Sequence, residues 1–342
     1  MEYEKIFKHL GNSPYWITFS GGEPFLKKNL VDIVNICYDL CNPGVINIPS
    51  NGILTEKIVH NVQSIAEHCQ KASIIINLSI DGIENEHDFI RGVEGNYIKV
   101  INTFYKLKNL NLKNLYVGIH TVISTFNINN FVKIANTLIN LNPDQYITEI
   151  AEERIELLNI GINITPSLNK YKPATDFLIH RIKNTNISKL MNKITQSFRI
   201  EYYNFVQKIL HKKTQIIPCY AGIASIQISP DGEVWSCCIK AKSLGNLRQT
   251  NYHLKNIWKN YHSKMERKFI KSKGCYCPLA NAAYTNMLMD FSTIRKVIYR
   301  AIITWKNTSP KLKQKSFLKL FSKYKYNSPL QERINHQSKG LF

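Results

Sequence analysis

The stretch ITFSGGEPFL, residues 17–26, indicates the fold class of this chain. A run of β-branched and aromatic residues leads directly into Gly21, Gly22, Glu23 and Pro24. Glycine at a strand end lets a ligand approach bare backbone, and a carboxylate accepts hydrogen bonds from an ammonium group, while proline stiffens the exit. The pattern predicts a ligand-binding turn at the carboxyl end of a strand, with an ordinary strand-to-helix turn as the alternative.

Strand and helix patterns alternate through the first half of the chain. Strand-like runs cover residues 15–20, 44–50, 73–81 and 115–124, and helix-like runs cover residues 30–41, 55–69, 96–110 and 128–141. Thr55 is predicted as the N-cap of the second of these helices. This alternation predicts parallel βαβ units with right-handed crossovers, an α/β fold whose ligands bind at the carboxyl ends of the strands.

Composition limits the class of protein. The 342 residues are 44% hydrophobic and 20% charged, which indicates a globular chain, and no run of 18 uncharged apolar residues is present. The charged N-terminus does not resemble a secretory signal, so the sequence predicts a cytoplasmic protein with reduced thiols. In that setting, clustered cysteines indicate metal binding or catalysis.

Five short motifs resemble those of the radical S-adenosylmethionine (SAM) enzymes, in that family's order and spacing. They are SGGEP at 20–24, PSNG at 49–52, LSIDG at 78–82, EHDFIRG at 86–92 and TVISTFN at 121–127. The resemblance implies that Gly21, Gly22 and Glu23 hold the SAM amino group, and Arg91 suits a carboxylate. His87 is expected to be structural. The predicted SAM-binding residues are Gly21, Gly22, Glu23, Pro24, Ser50, Asn51, Ser79, Asp81, Arg91 and Ser124.

A second group of motifs lies near the C-terminus. Cys219, Cys237, Cys275 and Cys277 flank a PDG turn that predicts a β-hairpin. The spacing is similar to that of SPASM or twitch domains, which implies one auxiliary 4Fe–4S cluster held by these four thiolates. Because the chain has CxC where that pattern has CxxC, Cys238 is a competing ligand. A structural zinc site and unligated buried thiols are the alternatives.

The sequence departs from the radical SAM pattern before Gly21. That family places CxxxCxxC after its first strand, whereas none of residues 1–20 is a cysteine. CYDLC at 37–41 has the CxxxC spacing, but it lies on a predicted helix, and Gly44 stands where the motif requires its third cysteine. Cys37 and Cys41 are therefore predicted to be core thiols, as is Cys69. The resemblance therefore predicts an N-terminally incomplete barrel that lacks its first strand and the SAM-cluster ligands.

The C-terminal part carries most of the net charge of +21. Residues 239–342 contain 22 Lys or Arg and 3 Asp or Glu. A basic amphipathic helix suits an anionic membrane surface or an acidic peptide, and a helix packed on the domain is the alternative. No arginine-and-aromatic motif indicates a specific nucleic-acid partner.

These patterns together predict a partial (β/α)6 barrel, a small cysteine-rich α+β domain and a basic helical tail. The predicted bounds are 1–165 for the barrel, 166–213 for a helical linker, 214–285 for the SPASM/twitch-like domain and 286–342 for the C-terminal helices. The implied activity is reductive cleavage of SAM and hydrogen abstraction from a substrate, a peptide or a small molecule. An electron donor such as a flavodoxin or ferredoxin is the expected partner. The basic tail predicts that the cytoplasmic protein lies at the periphery of a membrane.

Two other classes of protein fit the same residues. One is a non-catalytic adaptor that keeps the SAM-shaped site and docks an acidic or membrane partner. The other is a zinc-binding protein that uses the same four cysteines.

Overall fold

The computed structural model describes residues 2–185, 187 and 190–302. Most of the predicted C-terminal segment, 286–342, therefore lies outside the described residues, together with its proposed membrane contact. The strands are β1 Trp16–Thr18, β2 Val45–Ser50, β3 Ser73–Ser79, β4 Leu115–Ile123, β5 Gln145–Ile150, β6 Gln227–Ile228, β7 Glu233–Trp235 and β8 Ser243–Asn246. The helices are α1 Glu2–Leu10, α2 Leu30–Cys41, α3 Thr55–His68, α4 Asn85–Arg91, α5 Asn96–Asn109, α6 Phe131–Asn140, α7 Leu168–Asn184, α8 Leu190–Lys212, α9 Leu254–Lys259, α10 Tyr261–Lys271, α11 Ala280–Leu288 and α12 Phe291–Ile302.

The first half of the chain folds into a five-stranded parallel sheet in the order β1-β2-β3-β4-β5. Each strand is joined to the next through helices, as right-handed βαβ units require. The predicted α/β class is confirmed, and the sheet is a parallel half-barrel. Strand β5 was not predicted from the sequence.

The outer face of the sheet packs against α2, α3, α5 and α6. Ile46, Ile48, Ile74, Ile76 and Ile119 are fully buried there, in one apolar core with residues of those helices. Burial of this many branched side chains supplies the main stabilisation of the half-barrel, at roughly 1.5–3 kcal/mol for each fully buried side chain.

The inner face carries a row of polar side chains that crosses the sheet. Asn47 donates to Thr18 Oγ1 at 3.3 Å, Asn77 donates to Asn47 Oδ1 at 3.0 Å, and Gln145 donates to Asn77 Oδ1 at 3.1 Å. Because β4 lies between Asn77 and Gln145, the last bond passes over Gly118. A Cβ at Gly118 would lie 2.3 Å from Asn77 Oδ1, so glycine is required for this crossing.

Helix α8 covers the free edge of β5. Arg199 donates to the Tyr146 carbonyl oxygen at 2.6 Å and to Gln145 Oε1 at 3.4 Å. Tyr203 and Thr148 bond through their hydroxyl groups at 2.9 Å. An edge carbonyl of β5 is thereby paired, which prevents it from pairing with another chain.

The second unit contains the predicted hairpin. Strands β6 and β7 are antiparallel, β8 extends them to a three-stranded sheet, and Gly232 occupies the turn with φ +83°. Hydrogen bonds join this unit to the half-barrel and to α8. Among them, the Ile155 amide donates to the Ile239 carbonyl at 3.2 Å, and Tyr202 Oη donates to the Pro278 carbonyl at 3.0 Å.

Two local predictions have different outcomes. Cys37, Cys41 and Cys69 are fully buried, as expected of core thiols. Thr55 is wrong as an N-cap: it is the first residue of α3, Leu54 is the cap, and the Thr55 hydroxyl bonds to Thr103 Oγ1 at 2.7 Å. A side-chain partner on α5 thus replaces the capping bond.

The described part of the chain contains no helix with the length and apolar character needed to cross a membrane.

Candidate functional site

The turn after β1 presents open backbone. Gly21 and Gly22 are exposed, Gly21 has φ +144°, and a Cβ added to either glycine would meet no atom within 4 Å. Only glycine adopts that backbone conformation without strain. The peptide groups of this turn are therefore accessible to a ligand at the carboxyl edge of the sheet.

The Glu23 carboxylate holds two strand ends together. Its Oε1 accepts from Ser50 Oγ at 3.0 Å and from the Phe25 amide at 3.1 Å, and its Oε2 accepts from the Asn51 amide at 2.7 Å. Pro24 is buried at the start of the same turn. Three protein donors thus occupy the carboxylate that the sequence predicted as an acceptor for an ammonium group. The backbone of residues 21–23 remains for that role.

Asp81 forms the centre of a polar cluster after β3. Its carboxylate accepts from the Val122 amide at 2.8 Å and pairs with Arg91 at 2.7 Å. Its backbone amide donates to Nδ1 of fully buried His87 at 3.1 Å, and burial lowers the pKa of His87 to about 4. His87 is therefore neutral and positions Asp81. The Arg91 Nε is buried without a hydrogen-bond partner among the described residues, so this guanidinium retains an unused donor.

Asn127 joins the ends of β3 and β4. It donates to the carbonyls of Asp81 and Val122 at 2.9 and 2.8 Å, and accepts from the Ser124 amide at 2.9 Å. Ser79 lies beside His120 across the β3–β4 ladder. The predicted SAM-binding residues thus lie along one edge of the sheet, and Asn127 is a positioning residue that the sequence analysis did not single out.

A charged group that was not predicted from the sequence lies at the carboxyl end of β5 and just after it. Glu149 Oε1 lies 3.7 Å from His120 Nε2 and 3.6 Å from an Arg154 guanidinium nitrogen. Glu152 is buried, burial raises its pKa to about 8, and its Oε2 has no hydrogen-bond partner among the described residues. Glu149 is level with Val122, which bonds to Asp81, so the charged group lies one strand beyond the Asp81 cluster.

The four predicted cysteine ligands line one cavity in the second unit. Cys219, Cys237, Cys275 and Cys277 share its wall with Lys240 and Glu266. Burial raises the pKa of Cys237, of Cys275 and, most strongly, of Cys277. Binding of iron at these sulfurs must therefore displace protons.

Cys238 is placed differently from its neighbour. It is buried beside Leu279 and Ala282 and is not among the residues that line the cavity. Burial raises its pKa to about 11. Within the described ranges, no three Cys, His, Asp or Glu side chains converge as they would on one metal ion, so the cysteines share a cavity and not a single coordination point.

A half-barrel of parallel strands with an open carboxyl edge, followed by a domain with a cysteine-lined cavity, defines an α/β cofactor-binding architecture. Residues 2–138 match the sequence model of the Radical SAM superfamily, and residues 219–278 match that of SPASM, an iron–sulfur cluster-binding domain. The chain therefore carries a radical SAM domain followed by a SPASM domain.

Two curated proteins of Bacillus subtilis (strain 168) are similar in sequence. The antilisterial bacteriocin subtilosin biosynthesis protein AlbA is 24% identical over 277 residues, which cover 76% of this chain and 54% of AlbA. The sporulation killing factor maturation protein SkfB is 29% identical over 96 residues, covering 28% of this chain and 22% of SkfB. The chain thus spans about half the length of AlbA.

The fold is similar to that of anSMEcpe, whose structure was solved with bound AdoMet and the Kp18Cys peptide. The TM-score is 0.57 at 15% sequence identity, and the match covers 89% of each chain. This likeness extends over both units of the molecule.

Proposed function

We propose that this chain binds SAM at the carboxyl edge of its half-barrel and one 4Fe–4S cluster in its cysteine cavity, as part of a radical SAM oxidoreductase that acts on a peptide. The observation that carries the proposal is the pairing of an open Gly21-Gly22 backbone with a cavity lined by four cysteines. SAM, when bound, would supply the hydrogen-abstracting chemistry of this superfamily together with a separate four-iron cluster, which that family holds with its CxxxCxxC thiolates. The cluster proposed for the cysteine cavity is the auxiliary one.

The residues present suit SAM at the first site. The open carbonyls of the glycine turn can accept hydrogen bonds from an ammonium group. The unused Arg91 Nε can donate to a carboxylate or a ribose oxygen. Glu23 and Asn127 hold the strand ends that carry these groups, and Asp81 orients Arg91.

The residues present also suit a four-iron cluster at the second site. Such a cluster takes four thiolates distributed around it, and four cysteines line the cavity. Burial raises the pKa of Cys237 and of Cys277, and backbone hydrogen bonding from Lys240 and Ile239 at the first, and from Leu279 at the second, acts in the opposite direction. Amide donors of this kind stabilise thiolate ligands.

A peptide is the proposed substrate class, with a small molecule as the alternative. The printed names of AlbA and SkfB concern a bacteriocin and a killing factor, and the anSMEcpe structure contains a peptide. Beyond Asp81, buried Glu152 and half-buried Arg154 each retain a buried polar atom without a partner among the described residues, which suits a polar substrate group. A flavodoxin or ferredoxin is the proposed electron donor.

Anaerobic reconstitution with iron and sulfide tests the cluster. We expect about four irons per chain. Cys237→Ala is expected to lose most of this iron, whereas the matched variant Cys238→Ala retains it. Equal iron in both variants would contradict the assignment of Cys237, and a single bound zinc would favour the structural zinc alternative.

Equilibrium dialysis with radiolabelled SAM tests the first site. Gly22→Val fills the open space over the backbone, so we expect SAM to bind at least tenfold more weakly. Lys71→Ala, just before β3 at the opposite edge of the sheet, is the control and is expected to bind as the unchanged protein does. Unchanged SAM binding by Gly22→Val would overturn the site.

A second candidate function is a non-catalytic SAM-binding adaptor. It is favoured by the lack of CxxxCxxC in the sequence, since the family uses those three thiolates for the cluster that reduces SAM. Release of 5′-deoxyadenosine from SAM after reduction with dithionite would support the oxidoreductase. SAM binding without this product would show that this chain alone does not reduce SAM, as the lack of CxxxCxxC predicts.

A further inference from the structure

We propose that Lys240, held in place by Glu266, raises the reduction potential of the auxiliary cluster in the cysteine cavity. This inference rests on the proposed function, because it requires that the cavity binds an iron–sulfur cluster. It assigns a role to two cavity residues that the sequence analysis did not identify.

Glu266 is a buried carboxylate in the wall of the cysteine cavity. It projects from α10 and is 1% exposed. Neither of its oxygens has a hydrogen-bond partner among the described residues. Its charge is balanced by two ion pairs, with Lys240 Nζ at 3.6 Å and with Lys242 Nζ at 3.4 Å. A buried charge is retained only where such partners are present.

Lys240 is held both at its ammonium group and at its backbone. Its Nζ lies 3.8 Å from the centre of the Phe269 ring, on which a cation–π interaction forms. The Phe269 ring lies against Gly274, where an added Cβ would be 2.3 Å from the ring. The backbone next to Lys240 is anchored beside the cavity, because the Ala241 amide donates to the Cys237 carbonyl at 3.1 Å. The ammonium group therefore has a defined position near the thiolates.

The two lysines differ in their relation to the cavity. Lys240 lines it and its side chain is 29% exposed, whereas Lys242 does not line it and is 57% exposed. Solvent screens the charge of Lys242 more strongly. The pair thus provides two positions at which the same charge can be removed, only one of them at the cavity wall.

Charge near a cluster sets the potential at which it is reduced. A cluster held by four thiolates is an anion, and its negative charge increases when it accepts an electron. A nearby cation stabilises the reduced form, so its removal lowers the potential. Removal of the buried Glu266 charge has the opposite sign and raises the potential.

Potentiometric titration of the reconstituted full chain, followed by electron paramagnetic resonance of the reduced cluster, tests the inference. We expect Lys240→Gln to lower the reduced-to-oxidised ratio at a fixed potential by at least tenfold, which corresponds to about 59 mV for a one-electron couple. Lys242→Gln is the matched control and is expected to produce less than a third of this shift. Lys240→Arg keeps the charge and is expected to restore most of the ratio.

Two further outcomes separate the possible failures. Glu266→Gln is expected to retain its iron and to titrate at a higher potential; loss of its iron would make Glu266 a ligand and overturn its assignment as the charge partner. Equal shifts in Lys240→Gln and Lys242→Gln would overturn the inference alone. Absence of any iron–sulfur signal in the unchanged protein would contradict the proposed function, and the inference with it.

Discussion

Single residues determine whether the inner face of the half-barrel can form. Gly118 allows Asn77 and Gln145 to meet across the strand between them, and no side chain fits in that position. His87 illustrates the same dependence in the core, because its unprotonated Nδ1 accepts the bond that positions Asp81. Both residues support the candidate site without belonging to its open surface.

Gly118→Ala is expected to destabilise the protein by about 1–3 kcal/mol, since the new methyl group would lie 2.3 Å from Asn77 Oδ1 and 2.7 Å from Gln145 Cγ. Urea denaturation measures the free energy of unfolding. Gly22→Ala adds the same methyl group in open space and serves as the control, with an expected change below about 0.5 kcal/mol. Equal losses in the two variants would contradict the role assigned to the crossing.

His87 makes the stability depend on pH. Burial lowers its pKa from 6.5 to about 4, so the unfolded chain binds a proton at a higher pH than the folded chain does. Its contribution is therefore present above pH 6.5 and is lost as the pH falls towards 4, by about 3 kcal/mol at most. We expect His87→Gln to show a flatter dependence of the unfolding free energy between pH 7 and pH 4. Parallel curves for the two proteins would exclude this assignment.

At the scale of helices and strands, a side chain on one helix fixes the start of the next. Asp88 on α4 accepts from the amides of Gly95 and Tyr97, both at 2.7 Å. These amides belong to the start of α5, whose N-cap residue, Gly95, has no side chain with which to cap the helix. The position of α5 behind β3 and β4 thus depends on a carboxylate in the preceding helix.

Asp88→Ala is expected to reduce the free energy of unfolding by about 1–2 kcal/mol, because both amides lose a charged acceptor. Glu94→Ala removes an exposed carboxylate from the same loop and is expected to change it by less than about 0.5 kcal/mol. Thermal and urea unfolding of both variants provide the comparison. A loss no larger than that of the control would contradict the capping role.

The sequence predicts elements well where burial is uniform and poorly where it is mixed. Strands β2, β3 and β4 have dense β-branched residues, and α2 begins and ends at the predicted residues 30 and 41. Strand β5 was missed because Gln145 and Glu149 face the interior of the half-barrel and interrupt its apolar pattern. Because the end of β5 was not located, Glu152 and Arg154, which follow it, were not recognised as strand-end residues.

The residues of the candidate sites also differ in whether the sequence could predict them. Strand-end residues and cysteines have recognisable spacing, so the sequence could predict them, although their role in binding remains a prediction. Lys240 and Glu266 are 26 positions apart and have no such spacing. They meet only because α10, which carries Glu266, packs beside the loop in which Lys240 follows Cys237 and Cys238.

At the scale of the whole molecule, the cysteine cavity depends on contacts with the half-barrel. The Tyr202 hydroxyl group on α8 donates to the carbonyl of Pro278, directly after Cys277. Glu2 on α1 pairs with Arg248 at 2.7 Å, which joins the N-terminal helix to the second unit. Changes in either unit can therefore alter the cavity.

Tyr202→Phe is expected to destabilise the protein by about 1–3 kcal/mol and to accelerate loss of iron from the reconstituted protein, because the Pro278 carbonyl loses its donor. Tyr203→Phe removes a hydroxyl group that bonds to Thr148 within the half-barrel. We expect it to cost similar stability without altering iron loss. Iron release to a chelator distinguishes the two, and identical release rates would exclude the proposed coupling.

The row of polar side chains on the inner face has a direction. Arg199, Gln145, Asn77 and Asn47 each donate to the next member, and Thr18 accepts at the end, so the amide dipoles point the same way across all five strands. Every amide in the row must act as both donor and acceptor. At Asn77 and Gln145, an aspartate or glutamate of the same shape could only accept, and would face the amide oxygen of the next member. At Asn47 the facing group is the Thr18 hydroxyl, which can also donate. Mutational scanning should therefore recover amides alone at Asn77 and Gln145, and should accept aspartate at Asn47.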